Sequence, residues 1–204
     1  MPKHAFRFPP EVISSVKRHV RKAIDAVPPQ GYRQEPNYNA ALANRLAGTA
    51  YEGEHGSVVF RSTAFDDRAP SSAEHRSGAD YAITAIVSDG RLTIAKTIMV
   101  QSKLGRVSEL SDEEREHLKI QIRKMKRLVN APKVMEVPEL DGIRFPQIIS
   151  GNNILQDSPY TPMSLSDYFV ARVTTTLDGC TDPWVIATVQ DSSLPTVHVS
   201  AVIE

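Results

Sequence analysis

Apolar residues recur at helical intervals in three parts of the chain. In the first part, residues 11–27, they repeat every three or four positions until two prolines end the run. A second helix is expected to begin with Asn39 as its cap and to end near Ala50. In the third part, Ser111 and Glu114 have the spacing of a capping box, and apolar residues follow at helical intervals. The pattern therefore predicts two helices early in the chain and one after its middle.

Segments rich in β-branched and aromatic residues, which are typical of strands, lie between and after these helices. Strands are predicted over residues 56–65, on both sides of Asp89-Gly90, and over 133–137, 143–149, 184–190 and 196–203. One further helix is predicted over 164–173. The order α, α, β, β, β, α, β, followed by a mixed tail, predicts an α/β fold with a mixed central sheet flanked by helices. The chain, 1–204, is expected to form a single domain.

The segment around Asp89-Gly90 predicts a hairpin with a two-residue turn, which places Asp80 opposite Met99. One face of this hairpin is apolar. It is expected to contain Tyr81, Ile83, Ala85 and Val87 with Leu92, Ile94, Ile98 and Val100. The opposite face carries Asp80, Gln101 and Lys103, and the first two are diagonal neighbours roughly 7–8 Å apart at the backbone. A carboxylate, an amide and an ammonium group are thus expected to gather at one end of the hairpin.

Composition and charge exclude some classes of protein and leave others open. The formal net charge is zero, so binding to nucleic acid would depend on local basic patches, of which residues 16–22 and 119–127 are candidates. The lone Cys180 has no cysteine partner and is expected to be structural. The chain contains no long apolar run and no apolar stretch of a signal peptide, so we expect a cytoplasmic protein without a membrane partner.

The polar end of the hairpin has the groups that cleavage of a phosphodiester requires. Magnesium prefers oxygen ligands and keeps several waters, so a carboxylate and an amide or carbonyl oxygen can suffice beside a substrate phosphate. Asp80 would be the main ligand, Gln101 would contribute its side-chain oxygen, and the backbone carbonyl of Ser102 could complete the set. Lys103 would then orient the attacking water or stabilise the phosphoryl group in the transition state.

The residues "GAD" at 78–80 and "VQSK" at 100–103, followed by a helix, resemble the PD-(D/E)xK nuclease superfamily. The resemblance is to the Mrr-like restriction endonucleases, whose third motif is Q-x-K, and it covers residues 35–150. It implies a restriction-endonuclease-like αβββαβ core in that range. Residues 1–34 would then be an N-terminal helical extension, and residues 151–204 a C-terminal α/β elaboration.

This resemblance also implies roles for individual residues. Asp80 would bind the metal, Gln101 would replace the more usual acidic ligand, and Lys103 would be the catalytic lysine. Ala79 stands where the family commonly has proline. The neutral amide of Gln101 reduces the negative charge of the site, so weak metal binding or lost activity is one of the outcomes left open.

The resemblance further implies a second acid and a surface for the substrate. Glu74 is the first choice for the additional glutamate, and the weaker choices are Glu35, Glu52 and Glu54. His75 is a candidate assisting base. On the helix after the Q-x-K strand, phosphate contacts are expected from Gln121, Lys124 and Arg127, which would give affinity without sequence readout.

Three functions are compatible with these residues. The preferred one is a Mg²⁺-dependent endonuclease acting on DNA, with Mn²⁺ as a substitute, in restriction or anti-phage defence, where Mrr-like relatives occur. The second is an RNase or tRNA-cleaving toxin on the same fold. The third is an inactive module that binds nucleic acid or a protein, with the helix at residues 11–27 as its docking element. Homodimerisation is compatible with cutting both strands of a duplex.

Overall fold

A computed structural model of the protein describes residues 6–28, 35–63, 77–138 and 145–204. It shows an α/β fold in which helices cover both faces of a mixed eight-stranded sheet. The predicted fold class is confirmed at this level.

The helices of the described ranges are α1 (Pro10–Asp25), α2 (Glu35–Leu46), α3 (Asp112–Lys126), α4 (Gly151–Leu155), α5 (Leu165–Tyr168) and α6 (Pro183–Gln190). A π-helical turn at Phe169–Val173 continues α5, and a 3-10 turn at Val107–Glu109 precedes α3. The capping box predicted at Ser111 and Glu114 is present at the start of α3.

The strands are β1 (Gly48–Gly53), β2 (Gly56–Thr63), β3 (Tyr81–Ser88), β4 (Thr93–Leu104), β5 (Lys133–Val137), β6 (Gln147–Ser150), β7 (Met163–Ser164) and β8 (Thr196–Val202). They are arranged in the sheet in the order β1-β2-β8-β3-β4-β5-β6-β7. The last strand in sequence therefore lies between β2 and β3, antiparallel to β2 and parallel to β3. Strand β5 is parallel to β4, and α3 connects the two.

The hairpin of β3 and β4 keeps the predicted faces but not the predicted register. Tyr81 pairs with Val100, and Ser88 pairs with Thr93, so the pairing is shifted by two residues from the expected one. A shift by an even number leaves every side chain on its face. The turn has four residues because the Asp89 side chain accepts hydrogen bonds from the backbone N–H groups of Arg91 and Leu92, at 3.0 and 2.8 Å. Leu92 therefore lies in the turn and is exposed, not in the core.

Two hydrophobic cores hold the helices against the sheet. On one face, α1 and α2 pack over the predicted apolar side of the hairpin, and Val16 and Val20 of α1 are fully buried there. On the other face, α3 and α6 pack over Met99 and Val134, with Ile122 of α3 at the centre. Because the second core covers the middle of the polar face of the hairpin, Thr84, Met99 and Gln101 are buried there, whereas Ile86 and Thr93, near the turn, are exposed.

Some predicted elements have the wrong type or the wrong boundaries, and some elements were missed. Residues 184–190 form helix α6 and not a strand. Asn39 lies inside α2, which begins at Glu35, and the chain near Ala50 belongs to strand β1 and not to the end of the helix. Strand β1 and helix α4 were not predicted.

Within the residues that the structure describes, no helix has the length and apolar character that crossing a membrane requires.

Candidate active site

The side chains of Asp80 and Gln101 meet just before β3 begins. The backbone N–H of Asp80 donates to the carbonyl of Val100 at 2.9 Å, which holds Asp80 against β4. One carboxylate oxygen of Asp80, Oδ2, accepts a hydrogen bond from Nε2 of Gln101 at 2.8 Å. The same oxygen accepts the backbone N–H of Ser102 at 2.7 Å. The two-residue shift in register thus brings the predicted pair closer than the diagonal arrangement would.

The amide of Gln101 joins the three groups that were predicted to hold a metal. Its Nε2 donates to Asp80 and also to the backbone carbonyl of Ser102, at 3.2 Å. The residue is 1% exposed, and its Oε1 is buried without a hydrogen-bond partner among the described residues. A half-turn of this amide would direct Oε1 at two other oxygens, which is unfavourable unless a cation lies between them. The donor set, one carboxylate and two neutral oxygens, fits a hard divalent cation such as Mg²⁺.

Glu35 adds a second carboxylate to this site from the start of α2. Its Oε1 accepts the backbone N–H of Leu104 at 2.9 Å, and its Oε2 lies 3.8 Å from Nζ of Lys103. The side chains of Lys103 and Glu35 are 16% and 28% exposed, so this ion pair is partly shielded from solvent. Glu35, a weaker choice in the sequence, is therefore the glutamate that the structure brings to Lys103.

Helix α2 is fastened to β4 through a buried polar contact. The hydroxyl of Ser102 donates to Oδ1 of Asn39 at 3.0 Å, and Asn39 is 7% exposed. Asn39 therefore does not cap the helix but holds it against the strand that carries Gln101 and Lys103. This contact fixes the position of Glu35, one turn earlier on α2.

The positive charge of Lys103 also reaches α3. The pKa of Glu114 is lowered first by its hydrogen bonds with Ser111, and further by the charge of Lys103. Lys103 therefore forms an ion pair with Glu35 of α2 and acts electrostatically on Glu114 of α3.

A buried carboxylate next to Lys103 was not predicted. Glu136 of β5 pairs with Lys103 across the two parallel strands and is 3% exposed. Burial raises the pKa of Glu136, while the hydrogen bond that it accepts from the backbone N–H of Val107, at 2.9 Å, acts in the opposite direction. A single acid inside the apolar run "KVMEV" is the sequence signal that could have identified it.

The other candidate acids do not join the site or cannot be placed. Glu74 and His75 lie outside the described residues. Glu52 is on β1, from which β4 is separated by three strands. Glu54 belongs to an exposed group with Glu11 and His55, in which one imidazole nitrogen contacts both carboxylates. This group could hold a metal ion, but it lies on the turn between β1 and β2, at the edge of the sheet.

The three residues predicted to contact phosphate differ in their exposure. Arg127, at the end of α3, is exposed, and Lys124 is half-buried. Gln121 is half-buried, its Oε1 is shielded from solvent, and its backbone lies against Gly78, where a Cβ atom would come within 2.3 Å of the Gln121 carbonyl oxygen. Only Lys124 and Arg127 therefore have a place where a substrate could approach them.

Comparison of the chain with family models, with curated proteins and with solved structures finds no match. What the protein does has to be inferred from the site described above.

Proposed function

We propose that the protein is a divalent-cation-dependent endonuclease of the PD-(D/E)xK type that hydrolyses phosphodiester bonds in DNA. One observation carries the proposal: Asp80, Gln101 and the backbone of Ser102 converge at the end of the β3–β4 hairpin. Lys103 follows on the same strand, beside Glu35. A carboxylate and neutral oxygens can hold a divalent cation, and a lysine can stabilise the charge on a phosphoryl group in the transition state.

The order of elements around the site supports a restriction-endonuclease-like core. Helix α2 precedes the strands, β3 and β4 form the hairpin with the acid and the Q-x-K residues, and α3 leads to the parallel strand β5. The sheet differs from a simple αβββαβ arrangement in one respect. Strand β8 separates β2 from β3, so the first hairpin is joined to the site by a strand from the C-terminal part of the chain.

The residues of the site would have different roles in the reaction. Asp80, the side-chain oxygen of Gln101 and the carbonyl of Ser102 would hold the cation. A bound Mg²⁺ or Mn²⁺ supplies neutralisation of the phosphate charge and acidification of water. The ammonium group of Lys103 would bind the phosphate oxygens or the attacking water. Glu35, on α2, would keep that ammonium group in position through its ion pair with Lys103.

The test is a plasmid-nicking assay with Mg²⁺ or Mn²⁺ that compares the wild type with Asp80→Ala and Lys103→Ala. We expect the wild type to nick or linearise the plasmid and each variant to lose at least about a hundredfold of the rate. Arg91→Ala, which changes an exposed cation in the turn between β3 and β4, is the control and is expected to cleave normally. Cleavage that both site variants retain in full would refute the proposal.

The choice of nucleic acid is tested with the same proteins. Duplex DNA, single-stranded DNA and tRNA are offered separately, and the DNA proposal expects cleavage of the DNA substrates. Cleavage of tRNA alone would instead identify an RNase on the same site. Docking through α1, as in an inactive binding module, is less favoured because the apolar side of this helix is buried in the first core.

A further inference from the structure

A groove of about 450 Å³ lies on the α3 side of the sheet. It runs between the end of α3 and the segment that follows α6, with Met99 of β4 among its lining residues. Leu128 and Leu194 contribute apolar walls, Lys124 and Arg127 contribute two positive charges, and Asp191 contributes one negative charge. Its volume is within the range of roughly 300–1,000 Å³ in which small molecules bind to proteins.

The groove and the active site share the same backbone segments. Met99 precedes Gln101 by two residues on β4, so their side chains lie on one face of the sheet. Ser77 also lines the groove, three residues before Asp80. Between them, Gly78 has φ of +74° and packs against α3 closely enough to exclude a Cβ atom. The groove therefore lies beside the segments that lead into Asp80 and Gln101.

We propose that this groove holds an unpaired nucleotide of the substrate next to the cleaved phosphodiester. This inference rests on the proposed nuclease function and narrows its substrate to nucleic acid with a single-stranded segment at the cleavage site. Met99 and Leu194 line the groove but are buried, so the half-buried side chain of Leu128 offers the accessible apolar surface for the face of a base. Lys124 and Arg127 provide cations for the adjoining phosphates. A base in a duplex would first have to leave its stack and its pairing partner, which is unfavourable.

The helix next to the groove offers a second base-binding element. Thr188 lines the groove, and Trp184 lies one turn earlier on the same face of α6. Trp184 is 65% exposed, which is unusual for the largest apolar side chain of the chain. An exposed aromatic ring beside a basic groove is the arrangement on which successive bases of a single strand stack. Trp184 would thus offer a stacking surface one turn along α6 from the groove.

The test measures binding separately from cleavage, with Lys103→Ala as the background so that the substrate stays intact. A labelled single-stranded DNA oligonucleotide and the blunt duplex of the same sequence are titrated with this protein by fluorescence anisotropy. We expect the single strand to bind at least about tenfold more tightly. Equal affinities, or a preference for the duplex, would overturn the proposal.

Variants on one helix locate the binding. Leu128→Glu places a negative charge in the groove and is expected to weaken single-strand binding at least about tenfold. The matched control is Ile120→Glu, at an apolar residue of α3 that is 47% exposed and does not line the groove, and it is expected to bind as the background does. Trp184→Ala is expected to weaken binding about tenfold. Equal effects of Leu128→Glu and Ile120→Glu would also overturn the proposal.

The outcomes separate this inference from the proposed function. A protein that never cleaves, but binds single strands through Leu128, would retain the groove and refute the nuclease. A protein that cleaves blunt duplexes with Asp80 and Lys103, and binds them as tightly as single strands, would retain the nuclease and refute the groove. Thermal unfolding of each variant, followed by circular dichroism, shows whether the fold is kept, and Leu128→Met is the conservative replacement expected to bind normally.

Discussion

The amide of Gln101 links two oxygen atoms at the start of the β3–β4 hairpin. Its NH₂ group donates to the Asp80 carboxylate and to the Ser102 carbonyl, and so holds together two oxygens that would repel each other. A glutamate at this position could not do so, because it would place a second carboxylate beside Asp80 with no donor between them. The neutral Gln101 therefore avoids repulsion between two carboxylates. It also leaves the site with one negative charge fewer to attract a cation.

This difference in charge predicts how Gln101→Glu changes metal affinity and thermal stability. The variant is expected to bind Mg²⁺ about tenfold more tightly, because affinity for hard cations rises with the number of charged ligands. It is expected to unfold at a lower temperature than the wild type when a chelator is present, because two carboxylates then face each other. Isothermal titration calorimetry and thermal unfolding with and without Mg²⁺ measure both effects. Gln101→Leu, which lacks the oxygen, should lose metal binding; unchanged affinity in both variants would contradict the ligand role.

Glu136 predicts a pH dependence of stability. Burial raises the pKa of its carboxyl in the folded state, so the folded protein holds this proton more tightly than the unfolded chain. The resulting stabilisation is complete below the unfolded pKa, near 4.5, and is lost as pH rises through the higher folded pKa. Glu136→Gln keeps an acceptor for the Val107 N–H and removes the titration. The variant should therefore gain stability relative to the wild type as pH rises from 4 to 8.

Urea unfolding of both proteins at several pH values measures this difference. Glu113→Gln, at an exposed position of α3, is the control and should show no such trend. A constant difference between Glu136→Gln and the wild type across the range would show that the carboxyl does not titrate there.

At the scale of elements, the hairpin shows what the sequence could and could not predict. The alternation of apolar and polar residues specified the two faces correctly, because a buried face tolerates only even shifts of register. The turn was assigned two residues because Asp89-Gly90 is a common turn pair. The Asp89 side chain instead caps a four-residue turn, a competing interaction that a residue pair alone does not reveal.

The strand predicted over the residues of helix α6 was wrong for a different reason. The run "WVIATVQ" has the composition of a strand, but Asp182 caps the helix by accepting the N–H of Trp184 at 2.8 Å, and Pro183 occupies its first turn. Val185 and Val189, four residues apart, are its buried positions. The start signal was present in the sequence and outweighed the β propensity of the residues that follow.

The close contact between Gly78 and α3 predicts the effect of adding a methyl group. Gly78→Ala would place Cβ 2.3 Å from the Gln121 carbonyl oxygen and would also have to adopt φ of +74°. Backbone movement at this position shifts Asp80, two residues later, so we expect a loss of roughly 2–4 kcal/mol of stability and at least about tenfold of the cleavage rate. Chemical denaturation and the nicking assay measure the two effects.

Gly90 is the matched control for this prediction. Its φ is +78°, but an added Cβ would meet nothing within 4 Å. Gly90→Ala should therefore cost only the backbone strain, about 1 kcal/mol, and should leave cleavage unchanged. If the two variants were equally stable and equally active, the contact with α3 would have no part in positioning Asp80.

At the scale of the whole molecule, the sheet depends on β8. This strand joins the β1–β2 hairpin to β3, and the Ala82 N–H donates to the carbonyl of Pro195 at 2.8 Å just before β8 begins. The residue pattern predicted β8 as a strand, but residues 151–204 were expected to form an elaboration outside the core. Its position between two earlier strands is set by long-range packing, and no local pattern of residues encodes which strands it joins.

Two valines of β8 test this central position. Val199 is 1% exposed and Val202 is 41% exposed. Val199→Asp buries a charge without a partner and is expected to cost at least about 3 kcal/mol or to prevent folding. Val202→Asp, on the same strand, is expected to stay within about 0.5 kcal/mol of the wild type. Similar urea midpoints for the two variants would show that β8 is not a central strand.

The position of β8 also has a consequence for the order in which the protein is made. Strand β3, which follows Asp80, has β4 as its only early neighbour in the sheet, and its second neighbour is translated after α6. A growing chain that stops before residue 196 would leave that strand unpaired on one side. We therefore expect that no nascent chain attached to a ribosome can cut the nucleic acids around it until β8 has emerged from the exit tunnel.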